Sequence, residues 1–204
     1  MIQWLLPALL GYLLGCSNMA FYLARLRGVD IRDAGSGNAG ASNAMVLMGW
    51  GAGVLTAVHD IGKSVLAVVL ARLLFPEAPY AGLVAGAASV IGHMFPVFLH
   101  FRGGKGFASY FGMILSVSWK YALILAAVCV VVTLVTDYIV MATMTTVVTF
   151  PVYAAVALGW TAFAIAGVTS LIVISKHREN FRRLADGTEI GLRRANSGRE
   201  RLKK

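Results

Sequence analysis

Residues 121–136 read Tyr-Ala-Leu-Ile-Leu-Ala-Ala-Val-Cys-Val-Val-Val-Thr-Leu-Val-Thr, an uncharged and almost wholly apolar run. A helix needs about 20 mainly apolar residues to cross the hydrocarbon core of a bilayer. Similar runs recur along the chain, which has 204 residues and is 58% hydrophobic but only 13% charged. That is more apolar surface than a soluble core of this size can bury. The sequence therefore predicts an all-α, polytopic membrane protein.

Seven transmembrane helices are predicted when the apolar runs are taken in order. They cover roughly residues 4–24, a part of 44–75, 80–99, 107–117, 121–136, 138–158 and 161–175. As one helix, the run 44–75 would be about 48 Å long, which exceeds a single upright crossing of about 30 Å. We therefore expect a break near Gly49, Gly51 and Gly53. The run 107–117 is short enough to be a re-entrant half-helix instead of a full crossing.

The positions of the basic residues predict the orientation. Arg25, Arg27 and Arg32 follow the first run, Lys105 follows the third, and a basic segment follows the last. Because Lys and Arg favour cytoplasmic loops, this pattern predicts an N-terminus outside and a cytoplasmic C-terminus. Residues 1–190 are predicted to form a single transmembrane domain and residues 191–204 a basic cytoplasmic tail.

The formal charge of +9 raises the question of nucleic-acid binding. Residues 176–204 hold ten Lys or Arg against four Asp or Glu, so most of the positive charge lies at one end of the chain. A basic end beside a membrane span is typical of contact with anionic lipid headgroups. The predicted partners are thus membrane lipids and not nucleic acid.

A glycine-rich segment at 35–43, Gly-Ser-Gly-Asn-Ala-Gly-Ala-Ser-Asn, is the first candidate binding site. Closely spaced glycines permit positive φ angles, which let successive backbone N–H groups form an anion-binding nest. Neutral donors and the N-terminus of a helix after Asn43 would support a bound phosphate. The candidate residues are Gly35, Ser36, Gly37, Asn38, Gly40 and Asn43. The alternative is an interhelical turn in which an Asn caps the helix.

The second candidate, Gly103-Gly104-Lys105-Gly106, surrounds one cation with residues that lack side chains. A phosphate could approach both the ammonium and the backbone. The segment is not a P-loop, because no Ser or Thr follows the lysine and Leu99 occupies the first glycine position.

Two features of the predicted spans carry titratable groups. His93 lies in the last turns of the third span and is either functional or bridges two helices by hydrogen bonds. Asp60 and Lys63 are three residues apart, and we expect them to neutralise each other inside the second span.

The third polar segment, residues 176–189, is predicted to continue helically from the last span. His177, Asn180 and Leu184 would then share one face, with Arg183 beside them. That face either supplies polar groups to the other two segments or is a solvated basic collar.

Together these segments resemble the acyl-phosphate-dependent glycerol-3-phosphate acyltransferase family of bacterial membranes. The resemblance is carried by GSGNAGASN at 35–43, D-x-x-K at 60–63, GHMFPVFLHFRGGKG at 92–106 and KHRENFRRLADGTE at 176–189. It implies a seven-helix fold and the transfer of a fatty acyl group from acyl phosphate to the first hydroxyl of glycerol 3-phosphate, which gives lysophosphatidic acid. It implies no metal, no cofactor and no acyl-CoA. It also implies a soluble partner enzyme that makes acyl phosphate, and an active site on the cytoplasmic face of the bacterial inner membrane.

The resemblance also assigns residues. Ser36, Lys105, His177 and Asn180 fall on substrate-binding positions, and His93 falls on the family's histidine before the proline. We predict Ser36, His93 and Lys105 as catalytic residues. The predicted substrate- and phosphate-binding set is Gly35, Ser36, Gly37, Asn38, Gly40, Asn43, Gly103, Gly104, Lys105, Gly106, His177, Asn180 and Arg183.

One position departs from the family pattern. Val46 stands where the family has an arginine that binds the substrate phosphate. Three interpretations stay open: weaker acceptor binding, use of another cation such as Arg32 or Arg183, or a divergent paralogue with another acceptor or without activity. A soluble-type acyltransferase is excluded, because no histidine begins a His-x-x-x-x-Asp motif. A small-solute transporter is the main alternative of another class, although transporters concentrate their polar groups at the bilayer midplane.

Overall fold

The computed structural model describes residues 2–189, Gly191 and Arg193. These residues form helices and contain no strand, so the all-α prediction is confirmed. Of the predicted tail at 191–204, all but Gly191 and Arg193 lies outside the described residues. The α-helices are α1 (Ile2–Gly15), α2 (Met19–Arg25), α3 (Ala41–Met48), α4 (Trp50–Leu74), α5 (Ala81–Met94), α6 (Phe107–Val117), α7 (Trp119–Thr136), α8 (Ile139–Leu158), α9 (Trp160–Lys176) and α10 (Arg178–Ala185).

The described chain divides between Trp119 and Lys120 into two compact units. The N-terminal unit holds α1 to α6, and the C-terminal unit holds α7 to α10. A single domain over residues 1–190 stays a prediction.

Five segments of the described chain are long and apolar enough to cross a membrane. They are Gln3–Arg25, Trp50–Leu74, Ala81–Leu99, Trp119–Thr136 and Ile139–Leu158. Helices α9 and α10 add a sixth if this bent pair counts as one span, whereas α6 is a shorter apolar helix. Large apolar side chains such as Leu123 and Val156 lie exposed on these helices, as expected when lipid is the solvent. The count of seven and the orientation stay predictions.

Small residues let α1 and α5 approach closely. A β-carbon on Gly15 would overlap the backbone of Ser89, and one on Gly92 would overlap the carbonyl oxygen of Tyr12. Such small-residue contacts are how helices pack in membranes, where apolar burial no longer distinguishes protein from lipid. The Tyr12 hydroxyl also donates to the carbonyl oxygen of Phe95 at 2.9 Å. The close packing fixes α5, and with it the loop that follows, against the first span.

Two breaks shape the N-terminal unit. The predicted break lies at Gly49, whose φ of 92° separates α3 from α4. The second break was not predicted, because the sequence analysis treated residues 4–24 as one continuous helix. The chain leaves α1 at Gly15 and starts α2 at Met19, where the Asn18 side chain accepts a hydrogen bond from the Phe21 N–H and caps the new helix.

The C-terminal unit ends differently from the prediction. Residues 176–189 do not continue straight from the last span, because α9 and α10 meet at an angle of 50°. The turn lies at His177, which has non-helical backbone angles and follows the last residue of α9. Its ring is buried, and Nδ1 lies 2.9 Å from the carbonyl oxygen of Val173. The bend therefore places a polar, largely exposed helix at an angle to an apolar one.

Candidate active site

The first glycine segment has the backbone form expected of an anion-binding loop. Gly35 and Gly37 have φ angles of 60° and 68°, a region that favours glycine. Ser36, between them, is exposed. The following helix, α3, starts at Ala41 with Gly40 as its N-cap, three residues earlier than predicted and without a side-chain cap.

Asn43 has a different role from the one predicted. Its side-chain oxygen accepts from the Ser36 N–H at 3.0 Å, and its amide nitrogen lies within hydrogen-bond distance of the carbonyl oxygens of Ile31, Ala34 and Asn38. The side chain is buried. Its donors are occupied by the loop itself, so Asn43 shapes the loop and does not present its amide to a phosphate. It is not the helix cap of the alternative interpretation either, because it lies inside α3.

Arg32 anchors the start of the same loop. Its Nε and Nη2 donate to the two carboxylate oxygens of Asp30 at 2.9 and 2.6 Å, and its guanidinium lies over the ring of Phe21. These hydrogen bonds hold the pKa of Asp30 well below its usual range and raise the pKa of Arg32. Arg32 therefore stabilises the fold of this loop.

The second glycine segment is tied back onto the end of α5. Gly103 N–H donates to the Met94 carbonyl at 3.3 Å, and Gly104 N–H donates to the His93 carbonyl at 3.1 Å. The chain turns towards it through His100 and Phe101, both in the left-handed region at φ of 53° and 60°. Such angles are unusual for side chains of this size, and here the His100 N–H donates to the Val97 carbonyl and the Phe101 N–H to the Pro96 carbonyl. Lys105 follows this anchored pair of glycines and is half-buried.

The structure brings the two glycine segments together. Arg32 Nη1 donates to the Leu99 carbonyl at 2.8 Å, and Arg102 Nη2 lies 3.3 Å from both the Arg32 carbonyl and the Asp33 carboxylate. Deeper in the unit, a β-carbon on Gly104 would lie 3.2 Å from the Ala39 carbonyl oxygen. An exposed serine hydroxyl, positive-φ backbone and a lysine ammonium thus belong to two joined loops. Groups of this kind are suited to holding phosphate.

His93 belongs to a buried polar cluster beneath these loops. Asp60 Oδ1 lies 2.8 Å from Lys63 Nζ, which confirms the predicted pair, and 3.3 Å from His93 Nδ1. Lys63 Nζ lies 2.9 Å from the same His93 nitrogen. His93 therefore bridges α5 to α4, as one of the two interpretations proposed, and a direct catalytic role stays a prediction. That the pair and the histidine form one cluster was not predicted, since nothing local to either segment indicates it.

The C-terminal unit carries the third set of predicted residues on and beside α10. Asn180 Nδ2 donates to Glu189 Oε1 at 2.7 Å, and Arg183 Nε donates to Glu189 Oε2 at 2.8 Å. His177 and Asn180 are buried, whereas Arg183 is half-buried. The sequence analysis did not predict Glu189 as the partner of Asn180 and Arg183. The one signal for it was its position just after Asp186-Gly187, where a turn can fold the chain back onto α10. Convergence of this segment with the two glycine loops stays a prediction.

Val46 lies on α3 with 61% of its surface exposed. The position is open enough for a longer side chain. Of the two cations considered as replacements, Arg32 hydrogen-bonds Asp30 and the Leu99 carbonyl, and Arg183 pairs with Glu179 and Glu189.

Comparisons with known proteins agree with the resemblance. The sequence model of the family described as glycerol-3-phosphate acyltransferase matches residues 5–187. A glycerol-3-phosphate acyltransferase of Thermoanaerobacter pseudethanolicus is 39% identical over 189 residues, which cover 92% of this chain and 94% of the relative. One from Brucella anthropi is 38% identical over 181 residues and 88% of both chains.

The fold agrees as well. The crystal structure of PlsY (YgiH), an integral membrane glycerol 3-phosphate acyltransferase, in its glycerol 3-phosphate form matches with a TM-score of 0.85 at 34% identity. The match covers 92% of this chain and 94% of that one. Its lysophosphatidic acid form matches with a TM-score of 0.82.

Proposed function

The chain belongs to the glycerol-3-phosphate acyltransferase family, and from that membership we propose that it transfers a fatty acyl group from acyl phosphate to glycerol 3-phosphate. It is an acyltransferase of an integral membrane family, and its product is lysophosphatidic acid. The observation that carries the proposal is the junction of the two glycine loops, through Arg32 and Leu99 and again at Gly104 and Ala39. Both substrates carry phosphate, and these are the loops of the N-terminal unit that suit it.

The reaction requires little from the protein beyond the positioning of its two substrates. Acyl phosphate is a mixed anhydride, so the acceptor hydroxyl attacks the acyl carbon, the bond to the phosphate oxygen breaks, and inorganic phosphate leaves with the electron pair. The hydroxyl proton passes to a base, either a histidine or the substrate phosphate itself. Holding the two reactants in line and stabilising the charge that develops are enough to account for a large rate enhancement.

We assign the binding of phosphate to Ser36, Lys105 and the glycines around them. The Ser36 hydroxyl is exposed between two positive-φ glycines, and Lys105 follows glycines that are anchored to α5. The lysine ammonium compensates the charge of a phosphate, and the glycine backbone lets that phosphate come close. His177, Asn180 and Arg183 are proposed as further substrate groups, with Glu189 holding Asn180 and Arg183 in place until substrate binds.

The proposed setting is the bacterial inner membrane. The positive-inside rule applied to Arg25, Arg27, Lys105 and the basic end of the chain supports seven spans, with the N-terminus outside and the active site facing the cytoplasm. Acyl phosphate is poorly soluble in water, whereas glycerol 3-phosphate is highly soluble. The two substrates would meet at the cytoplasmic face. A soluble enzyme that makes acyl phosphate is the proposed supplier of the donor.

The direct test is acyl transfer by the purified protein in detergent. Palmitoyl phosphate and labelled glycerol 3-phosphate are the substrates, with palmitoyl-CoA as the alternative donor and glycerol as the alternative acceptor. We expect labelled lysophosphatidic acid from palmitoyl phosphate and glycerol 3-phosphate alone. Equal product from palmitoyl-CoA would refute the assigned donor, and absence of product from a folded protein would refute the proposed reaction.

A further inference from the structure

Lys63 is the centre of the buried cluster beneath the glycine loops. Its ammonium contacts Asp60 at 2.8 Å, His93 Nδ1 at 2.9 Å and the carbonyl oxygen of Ser17 at 2.7 Å. The three partners come from α4, from α5 and from the break between α1 and α2. One buried cation therefore fixes the relative positions of three segments that are far apart in the sequence.

The contact with Ser17 leads to the first glycine loop. Asn18, the next residue, is buried, and its Oδ1 caps α2 by accepting from the Phe21 N–H at 2.8 Å. The amide nitrogen of the same side chain donates to the Ala39 carbonyl at 2.9 Å. Ala39 lies inside the loop at 35–43, so the break in the first span holds that loop through a single side chain.

The contact with His93 leads to the second glycine loop. The His93 carbonyl accepts from the Gly104 N–H, and the imidazole lies so close to Gly104 that a β-carbon there would overlap Nε2. The other neighbour of that β-carbon would be the Ala39 carbonyl oxygen, which Asn18 binds. Both routes from Lys63 therefore end at the point where the two glycine loops meet.

We propose that Asn18, Asp60, Lys63 and His93 form one positioning network that sets the two glycine loops in register with each other. These residues lie beneath the loops and would act through Ala39 and Gly104, so in this network they are positioning residues. The inference rests on the proposed function, because the register matters when both loops hold phosphate. Binding groups displaced by as little as about 0.5 Å lose much of their effect, which gives such a network its value.

Stability alone does not explain why Asp60 and Lys63 are buried as an ion pair. A buried ion pair is often no more stabilising than apolar residues of the same volume, because desolvation offsets the attraction between the charges. The Lys63 ammonium, however, makes three directional contacts that an apolar side chain cannot make.

Asn18 offers a clean test, because its two hydrogen bonds can be separated. In Asn18→Ser the hydroxyl can still accept from the Phe21 N–H and cap α2, but it is too short to reach Ala39 and cannot replace the lost donor. We expect the KM for glycerol 3-phosphate to rise about 3- to 10-fold, while the melting temperature falls only by the few degrees expected of any variant that loses one buried hydrogen bond. Amide hydrogen exchange of residues 35–43 should become faster.

Ser64→Ala is the matched control. It removes another buried hydrogen bond between α4 and α5, the 3.0 Å contact with Ser89, which leads to neither loop. Its KM should stay within twofold of the wild-type value. A wild-type KM and wild-type exchange at 35–43 in Asn18→Ser would overturn the proposal, and so would an equal rise of KM in Ser64→Ala.

A second pair of variants tests the role of the Asp60–Lys63 ion pair in the network. Lys63→Met leaves Asp60 buried without its cation and should lower the melting temperature, whereas the double variant Asp60→Asn, Lys63→Met removes both charges and should recover most of it. We expect the raised KM to persist in the double variant, because the contacts to Ser17 and His93 remain absent. A double variant with wild-type KM would refute the role of the pair. Failure of the proposed function is visible separately, because the wild-type protein would then form no lysophosphatidic acid while the exchange measurement still reports on the loops.

Discussion

Arg32 Nη1 donates to the carbonyl oxygen of Leu99 at 2.8 Å, across 67 positions of sequence. With Nε and Nη2 bonded to Asp30, every nitrogen of this guanidinium has a partner. The arginine thereby joins two loops, and these contacts use three of its five N–H donors. Of the interpretations that the absence of a family arginine at position 46 left open, use of Arg32 as the replacement would therefore have to leave these three structural bonds in place.

The Asp30–Arg32 pair predicts how the free energy of unfolding depends on pH. The folded-state pKa of Asp30 lies below that of a free aspartate, which is about 3.9, because Arg32 hydrogen-bonds the ionised form. The contribution of the pair is therefore complete above about pH 4 and is lost as the pH falls towards the folded-state pKa. Asp30→Asn should be less stable than wild type at pH 7, and the difference should shrink below about pH 4 in thermal unfolding measured in detergent. A difference that is independent of pH would contradict this.

Gly104→Ala should strongly impair the enzyme. The new methyl group would overlap the imidazole of His93 and press on the Ala39 carbonyl, so one of the two loops must move. We expect kcat/KM for glycerol 3-phosphate to fall more than about tenfold, the loss of about 1.4 kcal/mol or more of transition-state stabilisation. Gly62→Ala is the control, because Gly62 lies in α4 and a β-carbon there would have open space around it. Near-normal activity in Gly104→Ala would contradict this prediction, because it would show that His93 or the Ala39 carbonyl can move aside without loss of activity.

Lys105→Ala should lose about 10- to 100-fold in kcat/KM, the cost of one charge-assisted contact to phosphate. Lys120→Ala removes an exposed lysine outside the candidate site and should change transfer by less than twofold. The measurement is initial-rate transfer from palmitoyl phosphate with each substrate varied in turn. Full transfer by Lys105→Ala would mean that the phosphate-binding assignment is wrong.

Val46→Arg tests the departure from the family pattern. Val46 is largely exposed on α3, so the longer side chain can enter without burying its charge. If the site lacks this cation, the variant should lower the KM for glycerol 3-phosphate by about 10- to 100-fold, from one new charge-assisted contact. Val46→Gln supplies the length without the charge and should leave the KM unchanged. An unchanged KM in Val46→Arg would indicate that another group already binds the phosphate.

Much of the fold could be predicted because its determinants are local. Helix length and hydropathy identified the apolar spans, and the glycines at 49, 51 and 53 predicted the break that Gly49 makes. The break after Gly15 was missed, because Cys16, Ser17 and Asn18 sit in an apolar run and Asn18 becomes a cap only when the next helix starts there. The bend at His177 was missed for a similar reason: the segment is compatible with a straight helix.

The sequence by itself determined the membrane-helical class, the loops that suit phosphate and the pairing of Asp60 with Lys63, since each follows from residues within one run, one turn or one helical repeat. The tertiary structure alone decided which groups those loops present. It bound the Asn43 amide and the Arg32 guanidinium inside the fold, placed Glu189 between Asn180 and Arg183, and brought Ser17 and His93 to Lys63 across 46 and 30 positions of sequence. The physical reason is that a polar group buried among apolar helices must find a partner, and helix packing decides which distant residue that partner is.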